Sequence, residues 1–324
     1  MKDSVKIACV YHAIDLDGWM SAAIVKHWAT CHDSPVIEVE YIGYVYKEKY
    51  LPNLNKDNFD TVVIVDCSLC ADEMERLSAE FGHEFIWVDH HLSAIKDAEG
   101  RYEPDGKRSV DFAACELAWQ TFFPFEPMPE IVRLLGRYDC FGHMGTDEEE
   151  LILEFQFGAR HAIHGYKGAY DYLIKTLYEL GGETIDSIFK AGKPIYAYLK
   201  AEAKHIYERG YVKNLIYPID PLQKPYFVNG VQSKSAVELS ANLKELWFVN
   251  QERFNAINFG IDYHKKGFDG MACYHYTNGT WHVSVYCENG SIDASRVAKA
   301  YGGGGHKGAA GFIVEDIRPF LDNE

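Results

Sequence analysis

The chain has 324 residues, 47% apolar and 25% charged, with a formal net charge of -16, a profile that excludes disordered and fibrous proteins. Its acid surplus also excludes a protein that grips long nucleic acid by its phosphates, because such affinity comes from basic groups and counterion release. The length suits two domains whose cores need no staples.

Val5 to Tyr11 reads as the first strand and runs into His12-Ala13-Ile14-Asp15-Leu16-Asp17-Gly18. A helix is expected next, because Met20, Ala23, Ile24, His27 and Trp28 repeat at helical spacing. Val36 to Ile42 alternates as a second strand, and Lys47 to Asn58 is polar connection. Thr61 to Val65 is a continuous β-branched run, the mark of a strand buried on both faces, and Asp66 stands at its end. Asp72 and Glu73 open a helix through Glu80, acids placed where the helix dipole favours them. Phe85 to Val88 is a further buried strand and delivers Asp89-His90-His91. Helical stretches follow near Asp111 to Phe123 and from Glu130 to Tyr138, the latter closing on Asp139. The run Asp147 to Glu150 reads as a solvated helix start.

Glu183 to Arg209 carries helix formers with an interruption at Gly192-Lys193-Pro194 and a stop at Gly210. Tyr217 to Pro225 holds three prolines in nine residues and is the expected domain boundary. Beyond it Ser235-Ala236-Val237-Glu238 is a capping box. Phe254 to Tyr263, Gly270 to Tyr276 and Trp281 to Cys287 read as strands, with a hairpin turn at Thr277 to Thr280. A short helix from Ala294 to Tyr301 leads into Gly302-Gly303-Gly304-Gly305-His306-Lys307-Gly308-Ala309-Ala310-Gly311. The expected division is residues 1–185, a helical connector over 186–225, and 226–324. No stretch approaches the roughly eighteen apolar residues of a membrane span. The eight scattered cysteines read as reduced core thiols, Cys67 and Cys70 included. A cytoplasmic protein with no membrane partner is expected, and a homodimer is compatible with the sequence.

His12, Asp15, Asp17, Asp66, Asp89, His90 and His91 thus stand at the ends of three strands. If those strands are parallel neighbours, the groups converge at the carboxyl edge of the sheet, where α/β proteins bind ligands. Asp15, Asp17, Asp66, Asp89 and Asp139 gathered there would repel, and without cations several would take up protons. Two divalent ions about 3.5–4 Å apart remove the repulsion and clamp a phosphoryl group. Carboxylates with imidazoles favour manganese or magnesium over zinc. Singly, each signal has a plainer meaning: Asp-Leu-Asp-Gly as a turn, a strand-end Asp as a helix cap, a His pair as core or surface. The glycine run has two readings, a flexible turn or a nest of backbone amides for a phosphate. It follows neither the dinucleotide pattern nor the P-loop.

These motifs together resemble the DHH phosphoesterase superfamily, in particular the branch with the DHH-associated C-terminal domain. That branch includes nanoRNases, 3′-phosphoadenosine-5′-phosphate phosphatases and cyclic-dinucleotide phosphodiesterases. The resemblance runs over nearly the full chain, through His12 to Gly18, Asp66, Asp89-His90-His91, Asp139 and Gly302 to Phe312. It implies an α/β fold of two domains, an N-terminal parallel sheet and a smaller mixed C-terminal domain, with the active site in the cleft between them. It implies a first metal on His12, Asp15 and Asp66 and a second on Asp17, Asp66, His90 and Asp139, with Asp66 bridging. Asp89 would orient an imidazole and His91 would face the scissile phosphate, while Gly302, Gly303, Gly304, Gly305 and His306 would hold a substrate terminus. Tyr286 stands where several relatives carry an arginine. The implied reaction is hydrolysis of very short oligonucleotides by hydroxide bridging two divalent ions, manganese first and magnesium second. The alternatives are a phosphatase of 3′-phosphoadenosine-5′-phosphate, a cyclic-dinucleotide phosphodiesterase and a non-catalytic nucleotide sensor.

Overall fold

The computed structural model describes residues 4–31, 36–45, 52–179, 181–228 and 243–321. The chain forms two compact units, residues 1–196 and 197–324. The architecture is α/β, with a parallel sheet in the first unit and a mixed sheet in the second.

The first unit is built on β1 (Ser4–His12), β2 (Val36–Tyr44), β3 (Thr61–Val65) and β4 (Phe85–Val88), ordered β2-β1-β3-β4 and all parallel. Val62 to Val65 are fully buried, as a strand covered on both faces requires. Around the sheet stand α1 (Leu16–Thr30), α2 (Ala71–Phe81), α3 (Leu92–Ala98), α4 (Ala114–Phe122), α5 (Glu130–Asp139), α6 (Glu149–Ala162) and α7 (Gly165–Ile174). Helix α1 is wrapped by the sheet, α4 and α7, so it is buried almost all round and not along one stripe. The outer edge of β4 is covered by the loop at 105–109, whose Asp105 and Lys107 carbonyls accept from Trp87 and Asp89 amides at 2.8 and 3.2 Å.

The long helix α8 (Gly181–Tyr207) runs from the first unit into the second without the expected break. Gly192 and Pro194 lie inside it. A Cβ at Gly192 would collide with the Glu154 carbonyl of α6, and one at Gly158 with the Ile188 carbonyl of α8. The glycine marks a close helix crossing, not a helix end.

The second unit holds β5 (Tyr211–Ile216), β6 (Tyr226–Val228), β7 (Leu243–Asn250), β8 (Gly270–Thr277), β9 (Thr280–Tyr286), α9 (Ala294–Ala300), β10 (Gly304–Gly305) and β11 (Ala309–Val314). The sheet order is β10-β11-β9-β8-β7-β5-β6, antiparallel except for the parallel pair β7 and β8. One face packs Phe248, Tyr274, Val285 and Phe312 against α9, and the other packs Met271 and Cys273 beneath the end of α8. The expected strand over 254–263 is a correction: this stretch is a 3₁₀ turn at Ala256–Phe259, and the strand lies just upstream as β7. Asn255 caps the turn, accepting from the Ile257 amide at 3.4 Å, and Gly260 ends it in the left-handed region. The apolar side chains here fill space under the sheet and do not alternate across a pleat.

The three-proline segment falls inside the second unit, between β5 and β6. Arg296 ties it down, donating to the carbonyls of Pro218, Asp220 and Gln223 at 2.8, 2.6 and 2.8 Å. The capping box at Ser235 to Glu238 lies outside the described residues.

Candidate active site

Register alone brings the strand ends together. Tyr11 pairs with Val65, and Val65 with Val88, so His12, Asp66 and Asp89 follow side by side at one edge of the sheet. Asp66 turns the chain there with φ of 57°, a left-handed conformation uncommon outside glycine. Such strain concentrates at functional sites. Trp87 steadies the turn by donating its Nε1–H to the Cys67 carbonyl at 2.9 Å.

Asp66 faces two imidazoles with different oxygens. Its Oδ2 lies 3.4 Å from His12 Nδ1, and its Oδ1 lies 3.3 Å from His90 Nε2. On the first side Asp15 Oδ2 is 3.1 Å from His12 Nδ1. On the second side Asp17 Oδ2 and Asp139 Oδ2 lie 3.5 and 3.3 Å from His90 Nε2. His12, Asp15 and Asp66 can therefore offer atoms to one ion, and Asp17, His90 and Asp139 to another.

Asp89 does different work. It is fully buried, and its Oδ1 accepts from the amides of His90 and His91 at 2.8 and 3.2 Å and from His91 Nδ1 at 2.7 Å. The last bond fixes the His91 ring and its tautomer.

Two of the plainer sequence meanings also hold in part. Asp15 is the N-cap of α1, accepting through Oδ1 from the Gly18 amide at 3.1 Å. Asp17 receives the Ala114 and Cys115 amides at 2.9 and 2.7 Å, and so caps a helix ninety-seven residues away in sequence. These amides, and Glu116 and Arg137 behind them, were not foreseen. Backbone donors carry no signal in residue type, and Glu116 announces only a helix start.

The protonation pattern follows from the crowding of buried acids around the imidazoles. Burial pulls the His12 imidazole down, yet its hydrogen bonds to Asp15 and Asp66 prevail and push it up to about 11. His90 is opposed by burial in the same way and is held well above the usual imidazole range by Asp66, Asp139 and Asp17. Burial also opposes a charged His91, which Asp89 raises. Among the acids, burial and the neighbouring carboxylates raise Asp17 well above its ordinary range. Burial pushes Asp139 up to about 6. For Asp66, burial is outweighed by His12 and His90, which hold it below the usual carboxylate range. Protonated imidazoles thus stand where cations would balance the acids. The oxygen and imidazole donors fit hard to borderline divalent ions.

The glycine run is shaped otherwise than a loose turn. Gly304 and Gly305 form β10, paired with Gly311 and Ala310, and Gly305 has φ of 137°. His306 donates its backbone N–H to the Ala309 carbonyl at 2.7 Å. Tyr286 closes β9, its ring packed among Met271, Cys273 and Tyr263. All eight cysteines are free, Cys67 buried and Cys70 exposed. Among the described residues no helix is long and apolar enough to cross a membrane.

Residues 6–135 match the model of the DHH family, N-terminal domain, a segment that contains His12, Asp15, Asp17, Asp66, Asp89, His90 and His91 but not Asp139 or the glycine run. The matched segment carries the strand ends on which these donors stand, and there the first unit is similar to the N-terminal domain of the DHH family. An uncharacterized protein of Acanthamoeba polyphaga mimivirus is 22% identical over 347 aligned positions, spanning 100% of this chain and 70% of that protein. Among solved structures, a pGpG-specific phosphodiesterase from Vibrio cholerae is 11% identical with a TM-score of 0.44, covering 96% of this chain and 93% of its own. The exonuclease RecJ bound to manganese is 14% identical with a TM-score of 0.44, covering 98% and 87%. An exopolyphosphatase-related protein from Bacteroides fragilis is 13% identical with a TM-score of 0.49, covering 96% and 87%.

Proposed function

We propose that this chain is a metal-dependent phosphodiesterase that hydrolyses very short oligonucleotides with two divalent cations, manganese suiting the donors best. The observation that carries the reading is the split carboxylate of Asp66, one oxygen towards His12 and the other towards His90. On this reading His12, Asp15 and Asp66 hold one cation, and Asp17, Asp66, His90 and Asp139 hold the other. Bound cations supply positive charge for the phosphoryl oxygens and lower the pKa of coordinated water.

The protein's own groups do the rest. Asp89 keeps the proton on Nδ1 of His91, so Nε2 is the atom that meets the substrate phosphate. A protonated His91, which Asp89 favours over the cost of burial, stabilises charge building on phosphoryl oxygen. In the second unit, Gly302, Gly303, Gly304, Gly305 and His306 are the substrate-binding segment; the amides of Gly302, Gly303 and His306 donate to the Lys299, Ala298 and Ala309 carbonyls, so contact with a substrate terminus rests on the small glycine surface and the His306 side chain. The net charge of -16 disfavours long polyanions and leaves short ones as substrates.

A turnover screen with manganese tests this directly, comparing RNA and DNA dinucleotides, longer oligonucleotides, cyclic dinucleotides and 3′-phosphoadenosine-5′-phosphate. The expected outcome is fastest hydrolysis of linear dinucleotides. Turnover confined to 3′-phosphoadenosine-5′-phosphate would make the enzyme a phosphomonoesterase, and binding of all of them with hydrolysis of none would make it a sensor.

A further inference from the structure

Asp17, on α1, and Asp139, on α5, meet at His90, and a separate device ties α5 to α4, the helix whose first amides hold Asp17. Both oxygens of Asp17 are held by the first amides of α4, through Ala114 and Cys115. Asp139 is the last residue of α5, so the end of that helix sets where its carboxylate lies. Between the helices sits one ion pair. Arg137 Nη2 donates to Glu116 Oε2 at 2.9 Å and Oε1 at 3.1 Å, while Glu116 Oε2 also accepts the Ala113 amide at 3.1 Å at the head of α4. The Glu116 side chain is only 3% exposed. Gly136 lies flat against it, since a Cβ there would come within 2.5 Å of Glu116 Cγ. Arg137 is held besides by the Asp111 carbonyl at 3.4 Å, and its own carbonyl faces His143 Nδ1 at 3.0 Å.

We infer that Glu116 and Arg137 are a positioning pair for the second cation: by tying the head of α4 to the end of α5 they set the spacing of Asp17 and Asp139 across His90. Neither residue touches the cation. His12 and Asp15 lie on β1 and the turn after it, outside this clip, so the first cation is indifferent to the pair. A buried glutamate that only stapled two helices would serve as well at any turn of α4. This one sits on the first turn, one residue after the amides that hold Asp17, and its partner sits two residues before Asp139.

The inference rests on the two-cation reading, and one experiment separates the two. Manganese is titrated calorimetrically into the chelator-treated full chain, for wild type, Arg137→Gln, Arg137→Lys and Glu116→Gln, with the folded fraction followed by circular dichroism. The wild type is expected to take up two equivalents. Arg137→Gln should bind one with unchanged affinity and the other at least about 10-fold more weakly, the scale of residues that orient ligands. Arg137→Lys should recover part of that loss, and the manganese concentration for half-maximal turnover should rise in step. Glu116→Gln keeps the acceptor for Ala113 and should show the same selective loss if Arg137→Gln fails to fold. Folded variants whose two affinities are unchanged, or equally weakened, overturn the positioning role. Fewer than two equivalents in wild type overturns the two-cation reading itself, and the inference with it.

Discussion

Asp66 is the residue on which the site turns, since its two oxygens serve opposite sides. Asp66→Ala should abolish turnover and weaken both manganese equivalents, whereas variants of Asp15 or Asp139 should each weaken one. Two ions retained in Asp66→Ala, counted by elemental analysis, would remove its bridging role. His91→Ala should behave oppositely, with metal content unchanged and turnover lowered about 10²–10³-fold, the scale of a lost donor to developing charge. Loss of an equivalent in that variant would make His91 a ligand. Protons give a third check. With no cation bound, His12 is pushed up to about 11 and carries its proton at neutral pH. That raised value favours the metal-free fold fully below the ordinary imidazole range, and the benefit fades as pH rises towards about 11. Cation uptake must expel the proton, so manganese affinity should rise with pH and calorimetry in buffers of different ionisation enthalpy should show net proton release. Uptake without release between about pH 7 and 8 would mean that His12 is not a ligand. At this scale the acids and imidazoles were legible because apolar strands ending in Asp or His are chemically conspicuous. The amides of Ala114 and Cys115 were not, because any sequence supplies backbone N–H groups.

Elements were legible where one physical demand dominates. Thr61 to Val65 and Phe85 to Val88 must satisfy burial on both faces and show it as unbroken apolar runs. Strand β7 hides because Leu243-Lys244-Glu245-Leu246 carries helix formers, while Phe254 to Tyr263 carries strand-like apolar residues that pack as a turn. Helix α8 hides its continuity for a different reason. Gly192 answers to α6 across the crossing and not to its own helix. Gly192→Val should therefore destabilise the fold by about 1–3 kcal/mol, the range for overpacking a close contact. Urea unfolding checks this, and a variant as stable as wild type would show that the crossing yields without strain. Manganese stoichiometry should not change in the folded fraction, because neither α6 nor α8 carries a ligand.

On the scale of the whole molecule, charge makes its own demand. A net charge of -16 slows the approach of long polyanions, and salt screens the effect over a Debye length of about 10 Å at 0.1 M. The specificity constant should fall as an oligonucleotide lengthens, and the penalty should shrink at higher salt. A length preference unmoved by salt would point to the width of the binding site instead, and a twenty-mer cleaved as well as a dinucleotide would defeat both explanations. The two-sheet architecture was foreseen, and the chain passes from one unit to the next within α8, at residues 196 and 197, inside the stretch 186–225 expected as a helical connector and upstream of the three-proline segment. The most direct test of the two-cation site is to titrate manganese into the chelator-treated chain, counting bound metal while measuring hydrolysis of an RNA dinucleotide. Turnover should stay absent with one equivalent bound and appear as the second binds; full turnover at one equivalent, or after complete chelation, would contradict the account.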